Sequence, residues 1–186
     1  MKTTAVDTIY AEFRDAAAIL AAAGEISLQI TLDSHMRKTL LLSAASYFEA
    51  KLTKEVQEFT DEITSCNELI GSLVHTKAIS RQYHTWFDWD RNNANKFFSL
   101  FGKSFKEHME RRLNECDVLA EGVKAFMEIG RERNLLAHSD YASHSINKTP
   151  DEVYELYKKA IFFIEIIGVE MRDCSSILTS SSNGLR

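Results

Sequence analysis

Apolar residues recur at steps of three and four along most of the chain, a spacing that places them on one face of an α-helix. Residues 3–23 are rich in alanine and carry such a stripe, so they predict a first amphipathic helix, which Gly24 is suited to end. A second helix is predicted to begin with a cap at Asp33 or Ser34, and its apolar stripe runs to Phe59. Both elements are typical of a helical bundle.

The middle of the chain departs from this regular pattern. Helical periodicity continues through residues 61–80, but in residues 83–105 the aromatic side chains cluster among turn-forming Asp and Asn. Short helices are predicted around residues 92–101 and 104–115. We interpret residues 61–115 as an aromatic-rich insertion that lies over the bundle.

The C-terminal part returns to long helices. One is predicted from Asn114 or Asp117 to about Ala137, and a polar loop follows it. The last helix has a specific start signal, because Thr149 is an N-cap residue and Pro150 precedes two acids in the first turn. The chain has only one proline and seven glycines, fewer than a many-stranded sheet needs. The pattern therefore predicts an all-α, up-and-down helical bundle.

Length and composition indicate the domain organisation. A chain of 186 residues with 45% apolar residues is sized for one domain with a substantial core, here residues 1–175. The Ser-rich residues 176–186 are predicted to form a flexible C-terminal tail. No stretch approaches the roughly 18 uncharged apolar residues of a membrane span, and the N-terminal residues have no secretory pattern. We expect a soluble, cytoplasmic protein without a membrane partner.

Charge is unevenly distributed along the chain. The net charge is −5, which argues against a surface coated with cations, yet Lys77 to Arg112 contains eight Lys/Arg and four Asp/Glu. Basic residues alternate there with aromatic rings, a composition that can hold an RNA backbone and stack bases. The weak RNA-binding candidates are Arg81, Arg91, Lys96 and Lys103. The alternative, which we favour, is that most of the rings pack this region onto the bundle.

No metal site or cofactor is predicted. The three cysteines are far apart, and neither a CxxC pair nor a neighbouring histidine at ligand spacing accompanies them. His84, Asp88 and Asp90 lie close together in the chain, but their spacing matches no common ligand pattern. We therefore predict chemistry that uses side chains alone.

The candidate site lies at the end of the helix that precedes the polar loop. Helical geometry places Arg133 with the apolar face, while Asn134 and His138 are one turn apart on the adjoining flank and Arg131 lies beyond them. A guanidinium keeps its charge, so Arg133 on an apolar face needs an anionic partner or a contact with a second subunit.

These residue types fit the cleavage of RNA. When a ribose 2′-hydroxyl attacks the adjacent phosphate, a histidine such as His138 can take and return the proton near neutral pH. An arginine such as Arg133 can stabilise the charge that develops on the phosphate oxygens, and Asn134 can orient the phosphate or the imidazole. Three residues are a short motif, however, and a solvated or ion-paired surface arrangement is the alternative.

Two segments resemble the HEPN superfamily. The stretch from Arg133 to His138, RNLLAH, matches its signature of an arginine, a polar residue and a histidine a few positions on. The second helix, with SAASYFEA around Glu49, is similar to the Phe-Glu helix of RiboL-PSP-HEPN and MAE-type HEPN-like nucleases. Glu49 lies at the edge of the apolar stripe, where it can face Arg133 as a supporting residue. Arg131 and Tyr141 are the other supporting candidates, although Tyr141 lies three residues after the histidine instead of two as in one toxin branch.

The resemblance implies a function and partners. It implies a homodimer in which two Arg/His pairs line one cleft, and a metal-independent endoribonuclease of a toxin–antitoxin or antiviral defence system. RNA is then the substrate, a cognate antitoxin or defence protein is a possible partner, and the products carry a 2′,3′-cyclic phosphate and a 5′-hydroxyl. One alternative is a non-catalytic HEPN module that binds RNA or a partner protein. Another is a helical interaction protein in which Arg133 and Glu49 form a buried pair.

Overall fold

The computed structural model describes residues 3–183, and within them it is all-helical without a strand. The α-helices are α1 (Ala5–Ala22), α2 (Ile26–Ile63), α3 (Glu68–Val74), α4 (Asn95–Leu100), α5 (Lys103–Glu115), α6 (Asp117–His138) and α7 (Pro150–Asn183). A π-helical segment, His75–Ile79, and one 3₁₀ turn, Tyr83–Thr85, lie between α3 and α4. The predicted all-α class is confirmed.

Local capping explains where the first and last helices begin. The Thr4 hydroxyl accepts from the backbone N–H of Asp7, and the Asp7 carboxylate accepts from that of Thr4. Thr149 and Glu152 form the same reciprocal pair at the start of α7, where the sequence predicts it. Gly24, with a φ of 71°, lies in the turn between α1 and α2, a conformation that favours glycine.

The second helix begins earlier than predicted. α2 starts at Ile26, directly after the turn, and not at Asp33 or Ser34. The reason is that the apolar residues of 26–32 alternate with polar ones instead of recurring at helical steps, and none of their side chains is buried. The first buried residues of α2 are Lys38, Leu40 and Leu41.

The region that follows α2 is broken into short helices. Ser65 and Cys66 have positive φ angles, which ends the helical run that periodicity predicts through residues 61–80. Further on, the short helices α4 and α5 agree with the predicted ones. The aromatic side chains between residues 86 and 105 pack into the bundle, since five of them are at most 4% exposed: Trp86, Phe87, Phe97, Phe98 and Phe105. The packing interpretation of these rings is therefore confirmed.

The long helices run up and down around one core. α1 is antiparallel to α7, because Asp7 accepts from Tyr154 while Arg14 pairs with Asp151. α6 is antiparallel to α7 as well, and its Phe126 ring lies 5.2 Å from that of Phe163. The core continues through Phe126 to α2, where the Phe48 ring is 5.7 Å away. As a result, the end of α6 lies between α2 and the aromatic segment.

The last helix extends further than predicted. α7 continues through the Ser-rich stretch to Asn183, whereas the sequence predicts a flexible tail from residue 176. Side-chain hydroxyls bond to backbone carbonyls one turn back here, as from Ser176 to Arg172 and from Thr179 to Ser175. Residues 184–186 of the predicted tail lie outside the described part of the chain. None of the described helices combines the length and apolarity that crossing a membrane requires.

Candidate active site at the end of α6

Arg133 faces a small internal cavity. The space is about 10 Å³, roughly that of a single water molecule. Its lining includes Ala45 and Glu49 from α2, Tyr83 and Trp89 from the aromatic segment, and Arg133 itself. The guanidinium is partly buried there, next to a carboxylate and a phenol. The sequence places Arg133 with the apolar face of its helix, and the structure agrees.

His138 lines a second, larger space on the neighbouring side of α6. This open cleft of about 510 Å³ lies between α6 and the segment that carries Trp89. Arg131 and Lys96 contribute positive charge to it, while Asp88 and Asp90 contribute carboxylates. The His138 side chain is exposed and makes no hydrogen bond to the described residues. The imidazole is therefore free to meet a ligand.

Asn134 joins the two spaces. Its side chain lines both the small cavity and the cleft, and its Oδ1 accepts a hydrogen bond of 3.2 Å from Nη1 of Arg133. Trp89 is the other residue of α6 or the aromatic segment that lines both. Arg133 and His138 thus lie on the same side of the bundle, with an amide between their two spaces.

Glu49 lies near Arg133 without forming an ion pair with it. Both side chains line the small cavity, but no oxygen–nitrogen contact within 4.0 Å joins them among the ion pairs of residues 3–183. Both charges act on the phenol of Tyr83. Burial raises its pKa most, Glu49 raises it further, and Arg133 lowers it. Glu49 thus lies beside Arg133 in the small cavity without a direct bond to it, and its supporting role stays a prediction.

Trp89 is held in place by a glycine that the sequence reasoning missed. A Cβ atom at Gly130 would lie 1.8 Å from Cζ3 of Trp89, so the indole ring occupies the space of the missing side chain. The indole N–H donates to the carbonyl of His84 at 3.0 Å. Gly130 is one turn before Arg133 and Asn134, hence it brings the ring next to the motif. A glycine within the apolar stripe of a helix was the available signal.

The loop after His138 is fixed to α2. Nζ of the buried Lys38 donates to the carbonyl of Tyr141 at 2.6 Å and lies 4.8 Å from the centre of its ring. Arg37 donates to the carbonyl of Ile146 at 3.0 Å. Tyr141 itself is 47% exposed and lines neither the cavity nor the cleft, so the structure does not bring it to the other candidate residues.

The weaker basic candidates are distributed over different surfaces. Lys96 lines the cleft, as does Arg131, whose Nη1 donates to Asn92 at 3.4 Å. Arg91 is outside the lining and lies 3.6 Å from Asp88, which belongs to it. Lys103 pairs with Glu107 along α5. Arg81 is exposed and lines neither space.

The metal-ligating residue types do not converge in the described part of the chain. Among residues 3–183, no group of three or more His, Cys, Asp or Glu side chains is arranged to hold a metal ion. His84 lines the small cavity, whereas Asp88 and Asp90 line the cleft.

A comparison with known protein families identifies the family of this chain. The chain matches the family model of RiboL-PSP-HEPN over residues 7–171. This chain belongs to the RiboL-PSP-HEPN family. The match also covers residues 61–115. The similarity to RiboL-PSP-HEPN therefore extends beyond the segments around Glu49 and around Arg133 to His138, on which the resemblance in the sequence is based. Neither the curated proteins nor the solved structures gave a match. Membership of a HEPN family indicates a nuclease or an RNA-binding module.

Proposed function

We propose that this protein is a metal-independent endoribonuclease of a toxin–antitoxin or antiviral defence system. The observation that carries the proposal is the side chain of Asn134, which lines both the cavity of Arg133 and the cleft of His138. An arginine, an amide and an imidazole next to an open cleft are the groups that cleavage by a ribose 2′-hydroxyl requires. The exposed Lys96 and the partly buried Arg131 support binding of a polyanion at the same cleft.

The proposed reaction needs no external nucleophile. The imidazole of His138 accepts the proton of the 2′-hydroxyl, whose oxygen attacks the adjacent phosphorus. The bond from phosphorus to the 5′-oxygen then breaks, and that oxygen takes the proton from the imidazolium. The products are a 2′,3′-cyclic phosphate and a 5′-hydroxyl. Arg133 stabilises the charge on the phosphate oxygens, and Asn134 positions either the phosphate or the arginine.

Arg133 has to reach the phosphate in this mechanism. Its hydrogen bond to Asn134 directs it toward the boundary between the two spaces, and no carboxylate of residues 3–183 binds it as an ion pair. A charged guanidinium without such a partner keeps its donors for an incoming anion. We further propose that a second copy of the chain forms a homodimer and brings its own Arg133 and His138 to a shared cleft.

Cleavage of RNA in the presence of EDTA tests the proposal. Wild-type protein is expected to cleave, and His138→Ala to lose about 10²-fold or more of the rate, because the proton acceptor is removed. His35→Ala is the matched control, since His35 is exposed on α2 and lines neither space. Treatment of the products with a phosphatase before and after acid distinguishes a cyclic phosphate from an open one. Equal cleavage by wild type and His138→Ala would exclude the proposed role of the histidine.

A non-catalytic module that binds RNA or a partner protein is the second candidate. The enclosed setting of Arg133 beside Glu49 and Tyr83 favours it, because a partly buried guanidinium can serve packing alone. Binding of RNA that survives His138→Ala, together with no cleavage by wild type, would support this candidate. Growth arrest on expression of wild type but not of His138→Ala would instead support a toxin.

A further inference from the structure

The cleft beside His138 is the right size for one nucleotide. Its volume of about 510 Å³ lies within the range of roughly 300–1,000 Å³ that small-molecule sites have. Its lining includes a partly exposed indole ring, two cations and two carboxylates, namely Trp89, Lys96, Arg131, Asp88 and Asp90. A nucleotide likewise combines an aromatic base, an anionic phosphate and polar base edges, so each class of side chain has a counterpart.

Trp89 provides a fixed surface for a base. One part of the ring lies on Gly130, the indole N–H is bonded to the carbonyl of His84, and the Phe87 ring is 4.8 Å away. The residue is nevertheless partly exposed and lines the cleft. A ring that is already immobilised loses little entropy when a base stacks on it.

The lining of the cleft carries charges of both signs. Lys96 and Arg131 attract a phosphate, whereas Asp88 and Asp90 repel it and accept hydrogen bonds from N–H groups. Asp88 forms an ion pair with Arg91, in which Nε of the arginine lies 3.6 Å from the carboxylate. Asp90 forms no ion pair or hydrogen bond with the described residues, so its acceptor oxygens are available. The Asp90 carboxylate therefore suits a base edge that donates.

Guanine is the base that fits a carboxylate best. Its Watson–Crick edge presents two adjacent donors, N1–H and the N2 amine, to the two oxygens of one carboxylate. Adenine and cytosine place a ring acceptor beside their amine, and uracil places its one N–H between two carbonyls. A carboxylate would repel those acceptors. The charge pattern consequently distinguishes among the four bases.

We propose that the cleft binds a guanine nucleotide of single-stranded RNA, with the base stacked on Trp89 and its donor edge on Asp90, assisted by Asp88. Lys96 and Arg131 hold the neighbouring phosphates. This inference rests on the proposed function, because it makes guanine the base recognised next to the cleaved bond. It adds a specificity that neither the family match nor the catalytic residues provide.

Binding of the four mononucleotides tests the pocket without cleavage. The affinities of 3′-GMP, 3′-AMP, 3′-CMP and 3′-UMP are measured by titration calorimetry with wild type, Asp90→Asn and the control Asp173→Asn, an exposed aspartate of α7. We expect 3′-GMP to bind about tenfold or more tightly than the others, as a bidentate base contact allows. Asp90→Asn is expected to remove most of that preference, and Asp173→Asn to leave it unchanged.

Mapping of cleavage sites in a mixed-sequence RNA provides the second measurement. Enrichment of guanine beside the cut in wild type, and its loss from the cuts that Asp90→Asn still makes, supports the proposal. Cleavage without base preference, or equal affinity for all four mononucleotides, would overturn the guanine pocket and leave the nuclease proposal standing. Selective binding of 3′-GMP without any RNA cleavage would support the pocket and contradict the nuclease. A guanine preference that survives Asp90→Asn would overturn the role of that carboxylate.

Discussion

Two pairs of arginine and histidine, one on α5 and one on α6, lie in opposite surroundings. On α5, His108 and Arg112 meet the carboxylate of Glu170 from α7, which is 3% exposed. Nε2 of His108 lies 2.7 Å from one carboxylate oxygen, and Nε of Arg112 donates to the other at 2.9 Å. On α6, Arg133 and His138 have no carboxylate within ion-pair distance in the described chain. The residue types alone do not distinguish the two pairs.

The difference lies in what satisfies the polar groups. Glu170 is enclosed by its two partners, so that cluster links α5 to α7 and offers nothing to a ligand. The pair on α6 has one hydrogen bond, from Arg133 to Asn134, and an open cleft beside the histidine. A buried counter-ion therefore marks a structural pair, and its absence next to a cleft marks a candidate for chemistry.

Replacing Arg133 or Arg112 by alanine is expected to give the largest difference between the two pairs. Arg133→Ala is expected to lower the rate of RNA cleavage by about 10²- to 10³-fold, because the charge on the transition state loses its cation. Its free energy of unfolding should change little, since Arg133 forms no ion pair with the described residues. Arg112→Ala should do the reverse and lower the free energy of unfolding with cleavage retained, because the buried Glu170 loses one of its two donors.

Initial rates of RNA cleavage and urea unfolding followed by circular dichroism measure the two effects separately. Arg133→Lys serves as a further variant, because it retains the charge and removes the planar set of donors. A large loss of stability in Arg133→Ala, with no change in the rate per folded molecule, would show that the pair on α6 is also structural.

Removal of the buried carboxylate gives the next largest effect. Glu170→Ala leaves His108 and Arg112 without their common acceptor, and breaking a buried pair in this way costs on the order of 3 kcal/mol. Urea unfolding at pH 7 measures the loss. Glu165→Ala, at an exposed position of the same helix, is the control and should change stability by less than about 0.5 kcal/mol. If both variants lose the same amount, the buried cluster contributes no more than an exposed glutamate.

The sequence predicts the helices best where one face is buried and a cap is present. α6 and the start of α7 follow from their stripe and from Thr149 and Pro150. The first two turns of α2 were not predicted, because their apolar residues alternate with polar ones and none of them packs into the core. Periodicity reports contact with the core, so exposed helix is invisible to it.

The candidate site was predictable along one helix but not across helices. Arg133, Asn134 and His138 share α6, and helical geometry alone brings them together. The wall of the cleft comes from Trp89, about forty positions earlier in the chain, and its contact with Gly130 depends on tertiary packing. Likewise, nothing in the local sequence of α5 indicates that Glu170 neutralises Arg112.

Gly130→Ala tests whether the cleft depends on the position of the Trp89 ring. The new methyl group overlaps the Trp89 ring, so the ring must move; overpacking of this kind costs about 1–3 kcal/mol, offset by about 1 kcal/mol of better helix propensity. We expect a net loss near 1 kcal/mol, a changed tryptophan emission spectrum and weaker binding of 3′-GMP. Ala125→Gly, a change at another buried position of α6, controls for propensity and packing alone. An unchanged spectrum and unchanged binding would show that Trp89 does not need its place on Gly130.

The smallest effect is expected at a carboxylate that is satisfied but exposed. The backbone N–H and then the hydroxyl of Thr149 lower the pKa of Glu152 below its usual 4.5, so the ionised form stabilises the start of α7. A depressed pKa gives stability that is present above pH 4.5 and is lost as the pH falls through the lower, folded value. Glu152→Gln should therefore have a slightly lower Tm than wild type at pH 7, and the difference should shrink between pH 4.5 and pH 3. Thermal unfolding at several pH values measures this, with Glu155→Gln as the exposed control on α7. A difference that stays constant over that range would mean that the charge of Glu152 contributes nothing to stability. Of the two carboxylates, only the buried one, Glu170, would then stabilise the fold.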